Sequence, residues 1–286
     1  MPNPRPGQIV TVDPLVRRVL APNPSAFTYT GTQTHIVGHG TVAVIDPGPT
    51  VSAHVEALLA ATAGERIAAI VCTHTHRDHS PAARLLQDRT GAPIVGCAPL
   101  APPKDAGGED EAYDAEYRPD RVLSDGERLE GDGWVLRAVA TPGHTSNHLC
   151  YALEGSGILF SGDHVMGWST SIVSPPDGDM GAYVSSLEKL LGREDARYLP
   201  AHGEPVEAPH RLVRGMVLHR RQREAQLLGR LEAGAARIPD LVAAMYRMID
   251  PRLHPAAARS VLAHLIDLER RGRVARDGEG WLIQQG

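Results

Sequence analysis

The sequence predicts an α/β fold over most of its length, followed by a smaller helical segment at its C-terminal end. Through residues 1–208, short apolar runs alternate with stretches that are apolar at helical spacing, as strands and helices do in α/β proteins. From Pro209 onward, helical patterns follow one another directly. Residues 1–208 carry 15 Lys and Arg against 26 Asp and Glu, a net −11, whereas residues 209–286 carry 14 against 8, a net +6. We therefore predict two domains, residues 1–208 and 209–286.

The composition excludes several classes of protein. With 286 residues and 42% hydrophobic content, the chain is long enough for a substantial core. No apolar run approaches the roughly 18 to 20 residues of a membrane span, and the opening "MPNPRPGQIV" lacks the apolar region of a secretory signal. Three cysteines are too few and too scattered for a disulfide framework. We expect a cytoplasmic protein without membrane contact.

The α/β domain begins with a predicted hairpin and two βα units. The hairpin is "HIVGHGTVAVIDPGP", with a turn at His39-Gly40. A helix is predicted for "VSAHVEALLAATAG", and a strand buried on both faces for "IAAIVCTH". The next helix, "SPAARLLQDRTG", is expected to have Ser80 as its N-cap, Pro81 at its first position and Gly91 at its end. A further strand is predicted for "APIVGC".

The remainder of this domain is interrupted by an acidic stretch. Residues 101–121, rich in Pro and Gly, predict a surface loop or insertion. Strands are predicted to resume in "WVLRAVATPG", "HLCYALEG" and "GILFSGD". Leu187–Leu191 belong to a predicted helix, and a last strand is predicted for "ARYLPAHGEP".

The C-terminal segment has the element order of a winged helix. Three amphipathic helices, "HRLVRGMVLHRRQREAQLLGRLEAG", "IPDLVAAMY" and "HPAAARSVLAHLIDLERRG", precede two strands around Asp277-Gly278. The first helix carries a set of arginines that either contact nucleic-acid phosphates or form a solvated face whose stems cover apolar surface. These arginines are Arg211, Arg214, Arg220, Arg221, Arg223 and Arg230.

The stretch "IVCTHTHRDHS" carries the chemistry. His74, His76, Asp78 and His79 follow a predicted buried strand, and the carboxyl ends of strands are where sites form in open α/β sheets. Histidine and carboxylate are ligands of zinc, and four of them are too many for one tetrahedral site that keeps a water. Two adjacent metals would use all four. Three further ligand-type residues also follow predicted strands beside a glycine: His144, Asp163 and His202.

These seven residues, in order and rough spacing, resemble the metallo-β-lactamase superfamily over about residues 25–205. The resemblance implies an αβ/βα sandwich with a two-metal site at its edge. Asp163 stands where β-lactamases of this superfamily often have cysteine, so the chain is more similar to the thioesterase, lactonase and nuclease branches. The implied ligand sets are His74, His76 and His144 for one zinc, and Asp78, His79 and His202 for the other, with Asp163 bridging.

The resemblance implies a dinuclear zinc hydrolase in which a metal-bridging hydroxide attacks a small ester, thioester or lactone. Asp78 would both bind metal and orient the nucleophile. Iron or manganese in place of zinc stays open on ligand type alone. The winged-helix-like tail resembles the lactamase-beta-2 group, whose characterised animal members cleave single-stranded RNA, so an endoribonuclease is the alternative. A non-catalytic nucleic-acid-binding module would be expected to lack ligands. Winged-helix segments also form dimers, which leaves a homodimer open.

Several other residues have two interpretations. Asp46, at the strand end in "VIDPG", either hydrogen-bonds a ligand histidine or shapes a turn. Trp168, Ser171 and Tyr183 either reach the substrate or pack in the structure. The acidic stretch would repel a polyanion, which favours a small substrate over RNA. Its acidic residues are Asp105, Glu109, Asp110, Glu111, Asp114 and Glu116.

Overall fold

The computed structural model describes residues 5–100, 113–234, 236–248, 250 and 254–284. The chain divides into two compact units. Unit 1 comprises residues 1–141, 147–170 and 194–209, and unit 2 comprises residues 142–146, 171–193 and 210–286. The domain boundary proposed after residue 208 stays a prediction. Most of the acidic stretch, including Asp105, Glu109, Asp110 and Glu111, lies outside the described residues.

A seven-stranded mixed sheet forms one half of unit 1. Its strands follow one another in sequence order, antiparallel from the first to the fourth and parallel from the fourth to the seventh. The predicted hairpin around His39-Gly40 is confirmed as the third and fourth strands. The strands are β1 (Ile9–Asp13), β2 (Val16–Leu20), β3 (Gln33–Val37), β4 (Thr41–Ile45), β5 (Arg66–Cys72), β6 (Ile94–Gly96) and β7 (Arg121–Val122).

A five-stranded sheet forms the other half. Its strands are β8 (Arg128–Gly131), β9 (Trp134–Ala140), β10 (Leu149–Leu153), β11 (Ile158–Gly162) and β12 (Arg197–Pro200). Their order is β12-β11-β10-β9-β8, and only the β11–β12 pair is parallel. The β11–β12 pairing places the residues after both strands at the same edge of the sheet.

The two sheets enclose one hydrophobic core. Side chains of both belong to the same buried cluster, for example Ile70 on β5 and Phe160 on β11. Two polar tips inside it are satisfied across the sheets: the Tyr151 hydroxyl donates to the Cys72 carbonyl (2.8 Å), and Trp134 Nε1 donates to the Thr41 carbonyl (2.7 Å). The predicted α/β sandwich is therefore confirmed.

Two helices pack against the seven-stranded sheet, α1 (Ser52–Ala61) and α2 (Ala82–Thr90). Gly91 ends α2 in the left-handed conformation (φ 72°), as predicted. The prediction that Ser80 is the N-cap is wrong. Pro81 occupies that position without a side-chain cap, and the Ser80 hydroxyl donates to Asp114 instead (2.8 Å). The Ser80 hydroxyl therefore bonds Asp114, 34 residues away, and not the backbone at the start of α2 that the local sequence predicted.

Unit 2 contains the winged helix that the sequence predicted, and one further helix. Its elements are α3 (Met180–Leu191), α4 (Pro209–Leu231), α5 (Ile238–Met245), α6 (His254–Arg270), β13 (Val274–Asp277) and β14 (Gly280–Ile283). The three last helices and the hairpin share a core that includes Leu227, Leu265 and Trp281. Asp179 caps α3 by accepting from Ala182 N (2.9 Å). Within the described ranges, no helix combines the length and apolarity that crossing a bilayer requires.

Candidate metal centre

The stretch after β5 turns sharply and buries its histidines. Cys72 is the last strand residue, and His79 N donates back to the His76 carbonyl (2.9 Å), which closes a tight turn. His74 and His79 are fully buried, whereas His76 is half-buried and Asp78 keeps 26% of its side chain exposed. The buried strand therefore delivers four ligand-type side chains to one edge of the sandwich.

His74 and His76 face each other through their ring nitrogens. His74 Nε2 lies 2.9 Å from His76 Nδ1. On its other side, His74 Nδ1 lies 3.0 Å from Thr73 Oγ1, which in turn lies 2.8 Å from the Asp46 carboxylate. Because a carboxylate only accepts, the Thr73 hydroxyl donates to Asp46 and accepts from His74 Nδ1–H. The neutral His74 ring consequently presents a lone pair on Nε2 towards His76, as a metal ligand does.

Asp78, His79 and His202 form a second group. His202 Nε2 lies 3.1 Å and His79 Nε2 lies 3.4 Å from Asp78 Oδ2. One ligand atom from each of the three lies within 4.8 Å of the other two. His202 is held by its other nitrogen, Nδ1, which lies 3.3 Å from the Gly31 carbonyl. This is the trio that the resemblance assigned to one metal.

Asp163 lies between these histidines. Its Oδ1 is 3.3 Å from His202 Nε2, and its Oδ2 is 3.6 Å from His79 Nε2. A ligand atom of Asp163 also lies within 4.8 Å of one on His74 and one on His79. The parallel β11–β12 pairing explains the approach, because Asp163 directly follows β11 and His202 follows β12. The carboxylate thus faces ligands of both predicted sets, which is the geometry expected of a bridging ligand.

Asp46 serves both of the roles that the sequence left open. Its backbone is left-handed (φ 50°), so it shapes the turn after β4. Its carboxylate accepts from Thr73 N (2.8 Å) and from Thr73 Oγ1 (2.8 Å), and it lies 3.0 Å from His79 Nδ1. A proton on His79 Nδ1 directs the Nε2 lone pair towards Asp78 and Asp163.

His144 belongs to the segment 142–146 of unit 2. Its ring is almost fully buried, and Nδ1 lies 2.6 Å from the Ile172 carbonyl, within the same unit. That contact places the proton on Nδ1 and leaves Nε2 with a lone pair. Its role as the third ligand of the first metal stays a prediction.

The charges of the cluster shift the pKa values of its members. Burial lowers the pKa of His202, but the carboxylates of Asp163 and Asp78 outweigh it and raise that pKa to about 10. For His79, burial is likewise outweighed by neighbouring carboxylates, Asp78 first, and the pKa lies well above its usual value. The histidines in turn hold the pKa of both carboxyls below the usual range, despite burial. The cluster therefore favours positive charge at its centre, which a divalent cation supplies in place of protons.

The match to known families agrees with this arrangement. The model of the metallo-beta-lactamase superfamily matches residues 29–202, and that of the beta-lactamase associated winged helix domain matches residues 238–281. The chain belongs to the metallo-beta-lactamase superfamily. Membership identifies it with a family of metal-dependent hydrolases and confirms the resemblance drawn from the ligand motif.

Two relatives match more than 90% of this chain. The chain is 30% identical to the lactamase-like protein adaB of Aspergillus niger, over 96% of this chain and 87% of the relative. It is 32% identical to the beta-lactamase-like protein 2 homolog of Drosophila melanogaster, over 91% and 89%. A match of 32% identity, over 77% of this chain and 66% of the relative, is to the atrochrysone carboxyl ACP thioesterase AgnL7 of Paecilomyces divaricatus.

A solved structure with the same fold comes from Thermus thermophilus. It is a metallo-beta-lactamase family protein that superimposes with a TM-score of 0.78, over 96% of this chain and 100% of the other, at 22% identity. At that identity the likeness establishes the fold of this superfamily member and nothing finer.

The donor set fits the metals of this superfamily. Nε2 of His79 and Nε2 of His202 are buried and make no hydrogen bond of normal geometry within the described part of the chain. A buried ring nitrogen without a partner is costly, and here both face carboxylate oxygens. A divalent cation among these atoms would bind the lone pairs of both ring nitrogens and the carboxylate oxygens that they face. Imidazole and carboxylate together suit zinc, and also iron or manganese.

One supporting residue escaped the sequence analysis. His148 lies at the start of β10, and its Nε2 accepts from the backbone N–H of Asp163 (3.2 Å). Its Nδ1 lies 2.9 Å from Thr141 Oγ1. His148 thus holds the backbone of Asp163 in place. The only signal in the sequence was its position in "GHTSNH", four residues after His144.

The structure separates Trp168 from Ser171 and Tyr183, the three residues that either reach the substrate or pack in the structure. Ser171 and Tyr183 are fully buried within unit 2, so both pack in the structure. Trp168, in unit 1, is half-buried and stacks on Tyr29 with ring centroids 5.0 Å apart. Only Trp168 of the three keeps the exposure that contact with a substrate needs.

Proposed function

We propose that the chain is a dinuclear zinc-dependent hydrolase of a small thioester, ester or lactone. The observation that carries the proposal is the position of Asp163, which has a ligand atom within 4.8 Å of one on His74, from the first predicted set, and one on His79, from the second. Its Oδ1 also lies 3.3 Å from His202 Nε2, in the second set. His79 belongs to both groups of clustered ligand atoms that lie wholly in unit 1, one with His74 and Asp163 and one with Asp78 and His202. A carboxylate shared in this way is expected when two cations lie side by side, at about 3.5 to 4 Å.

The residues of the cluster have separate roles in this proposal. His74 and His76, with His144, would hold one ion, and Asp78, His79 and His202 the other. The bound ions would supply Lewis acidity at the attacked carbonyl and make water acidic enough to act as a nucleophile near neutral pH. Asp78, whose side chain is more exposed than that of Asp163 (26% against 10%), would accept a hydrogen bond from that water and orient it. Asp46 and His148 hold His79 and Asp163 in place.

A thioester is the substrate class we favour. A relative that shares 32% identity is named a thioesterase. The net charge of −11 on residues 1–208 would repel a polyanion, and Asp114 and Glu116 belong to the described part of this acidic stretch. A small, uncharged acyl substrate avoids that repulsion.

The arginines of α4 do not strengthen the RNA alternative. Arg220 is buried and donates to the Ser171 carbonyl, and Arg221 pairs with Glu188 (2.6 Å). Arg223 lies over the Tyr246 ring, 4.6 Å from its centroid. Three of the six arginines on which the RNA alternative depends therefore have partners within unit 2. These contacts favour the other interpretation, in which the arginines pack along a solvated helix face.

The test combines metal analysis with three substrates. His76→Ala and Asp163→Ala are expected to lose bound metal and to abolish hydrolysis, while circular dichroism stays that of the wild type. His39→Ala is the matched control, since His39 is an exposed histidine on the β3–β4 turn. Wild type and variants are assayed on an acyl-glutathione, a lactone and single-stranded RNA.

Two outcomes would contradict the proposal. A metal-replete and fully active His76→Ala would remove the assigned ligand set. Cleavage of RNA that weakens linearly with the logarithm of salt concentration, without turnover of the thioester or lactone, would establish the nuclease instead.

A further inference from the structure

Three aromatic side chains of unit 1 are exposed or half-buried, two of them before β3 and the third after β11. Phe27 is 63% and Tyr29 is 46% exposed, although most aromatic rings of this chain are buried. Trp168 is half-buried and stacks on Tyr29 at an interplanar angle of 17°. We name Phe27, Tyr29 and Trp168 the aromatic shelf.

Both sides of the shelf are tied to His202. On one side, Tyr29 lies two residues before Gly31, whose carbonyl contacts His202 Nδ1 (3.3 Å), and Thr32 forms a β-bridge with His202. On the other side, Trp168 packs so closely on Gly203 that a Cβ added there would lie 2.8 Å from its ring. Two residues span at most about 7 Å, so the backbone of Tyr29 lies close to His202, and Trp168 lies against Gly203, the chain neighbour of His202.

The loop that carries the shelf is held rigidly. Asn23 accepts from Thr32 N (2.9 Å) and donates to Thr32 Oγ1 (3.0 Å), which closes the base of the loop. Ser25 Oγ accepts from the backbone N–H of Phe27 (3.1 Å) and contacts Thr28 Oγ1 (2.9 Å). These hydrogen bonds fix the backbone of the loop that carries Phe27 and Tyr29. A binding surface that is already ordered lowers the entropy cost of binding a ligand.

The backbone of Tyr29 is strained. Its φ of 55° is in the left-handed region, which a bulky L-residue adopts only at a cost. The residue recovers little of that cost by burial, because nearly half of its side chain remains in solvent. Strain of this kind persists at ligand-binding positions, where the ring must point in one direction.

We propose that the aromatic shelf binds the acyl part of the substrate, and that this part is a planar, uncharged aromatic group. The inference rests on the proposed function, since it places the acyl group beside the carbonyl to be attacked. A flat pair of rings offers a π-face that an aromatic group contacts by offset stacking, which an aliphatic chain cannot do. The neighbouring charges, Arg18 and Glu204, pair with each other at 3.1 Å, so this pair does not favour an anionic group.

The test compares two thioesters of N-acetylcysteamine, one with a 2-naphthoyl group and one with an acetyl group, on the zinc-loaded full chain. Tyr29→Asn removes the ring and keeps a residue that tolerates left-handed backbone. Phe27→Ala removes the second ring. Leu85→Ala, at an exposed apolar residue of α2, is the matched control.

We expect Tyr29→Asn and Phe27→Ala each to lower kcat/KM for the naphthoyl thioester about tenfold, mainly through KM. The value for the acetyl thioester should change by less than about threefold, with bound zinc unchanged. Leu85→Ala should alter neither. Equal losses on both thioesters, or no loss on the naphthoyl compound, would overturn the inference while leaving the hydrolase intact.

A binding measurement keeps the inference testable if neither thioester is turned over, which would refute the proposed function separately. The probe is the naphthylmethyl thioether of N-acetylcysteamine, which cannot be hydrolysed. Of the three tryptophans, Trp134 and Trp281 are buried, so quenching of fluorescence should come from Trp168. Quenching that is lost in Tyr29→Asn supports the shelf, and unchanged quenching in that variant, or none in the wild type, refutes it.

Discussion

Replacing Asp46 by Asn tests how the protein orients its ligands without touching a ligand. The two side chains have the same shape, and Asn also tolerates the left-handed backbone of this position. The change matters because the Asp46 carboxylate serves three donors: the backbone N–H and the hydroxyl of Thr73, and His79 Nδ1–H. An amide retains one acceptor oxygen and places an N–H group where the second oxygen was.

Because the Thr73 backbone N–H can only donate, the amide oxygen should take the position of Oδ1, and the amide N–H group then faces the Thr73 hydroxyl and His79 Nδ1. His79 can accept from that N–H group only by moving its own proton to Nε2. When the introduced amide donates, His79 Nδ1 becomes the acceptor and Nε2 carries the hydrogen, which removes the lone pair that faces Asp78 and Asp163. We expect metal affinity to fall about 10- to 100-fold, or about 1.4 to 2.8 kcal/mol. The metal-free chain should lose about 1.5 to 3 kcal/mol of unfolding free energy, as for one hydrogen bond to a charged group.

Competition with a chelator measures the affinity, and urea unfolding of the metal-free chain measures the stability. Glu65→Gln is the matched control. Glu65 is also a part-buried carboxylate with two donors, Arg17 Nη2 (2.7 Å) and Gly40 N (2.9 Å), but it lies before β5, at the opposite end from His74. It should lower stability and leave metal affinity unchanged. If Asp46→Asn holds zinc as tightly as the wild type, the tautomer argument is refuted.

Three further predictions concern stability, each measured by denaturant unfolding. Gly162→Ala should cost about 1 to 3 kcal/mol of unfolding free energy, since φ is 51° and a Cβ would lie 2.6 Å from His148 Nε2. Wild-type stability would show that the backbone at the end of β11 relaxes freely. Burial, and next Arg220, lower the pKa of His264 to about 3, so the unfolded state binds its proton first. The unfolding free energy should therefore fall by up to about 1.4 kcal/mol per pH unit as the pH drops below 6.5. His264→Leu should reduce this slope, and an unaltered slope would show that His264 is not its source. Trp281→Ala should cost about 3 to 5 kcal/mol in the winged helix, and a loss below about 1 would disagree with its burial.

Local patterns predicted the elements well where the determining residues are neighbours. The turn at His39-Gly40 and the left-handed end of α2 at Gly91 depend on backbone freedom within a few residues, so the sequence suffices. The cap of α2 failed because the Ser80 hydroxyl bonds Asp114, a residue that folding brings close. A capping preference is worth about 1 kcal/mol, which a tertiary hydrogen bond can match.

The sequence predicted the ligand-type residues that the structure brings together, and it did not predict the residues that support them. His74, His76, Asp78 and His79 lie within six residues after a buried strand, and few structures other than a metal site use such a cluster. His148 gave no such signal, because its function depends on the backbone of Asp163 on a neighbouring strand.

The sequence by itself determined which side chains are able to bind a cation, because donor chemistry belongs to the residue type and the position after a strand is readable from periodicity. Only the tertiary structure decided that Asp163 serves two imidazoles, that Asp46 sets the proton on His79, and that Tyr29 stacks on Trp168 beside His202. These contacts join residues far apart in the chain, and strand pairing, which no local pattern encodes, brings them within hydrogen-bonding distance.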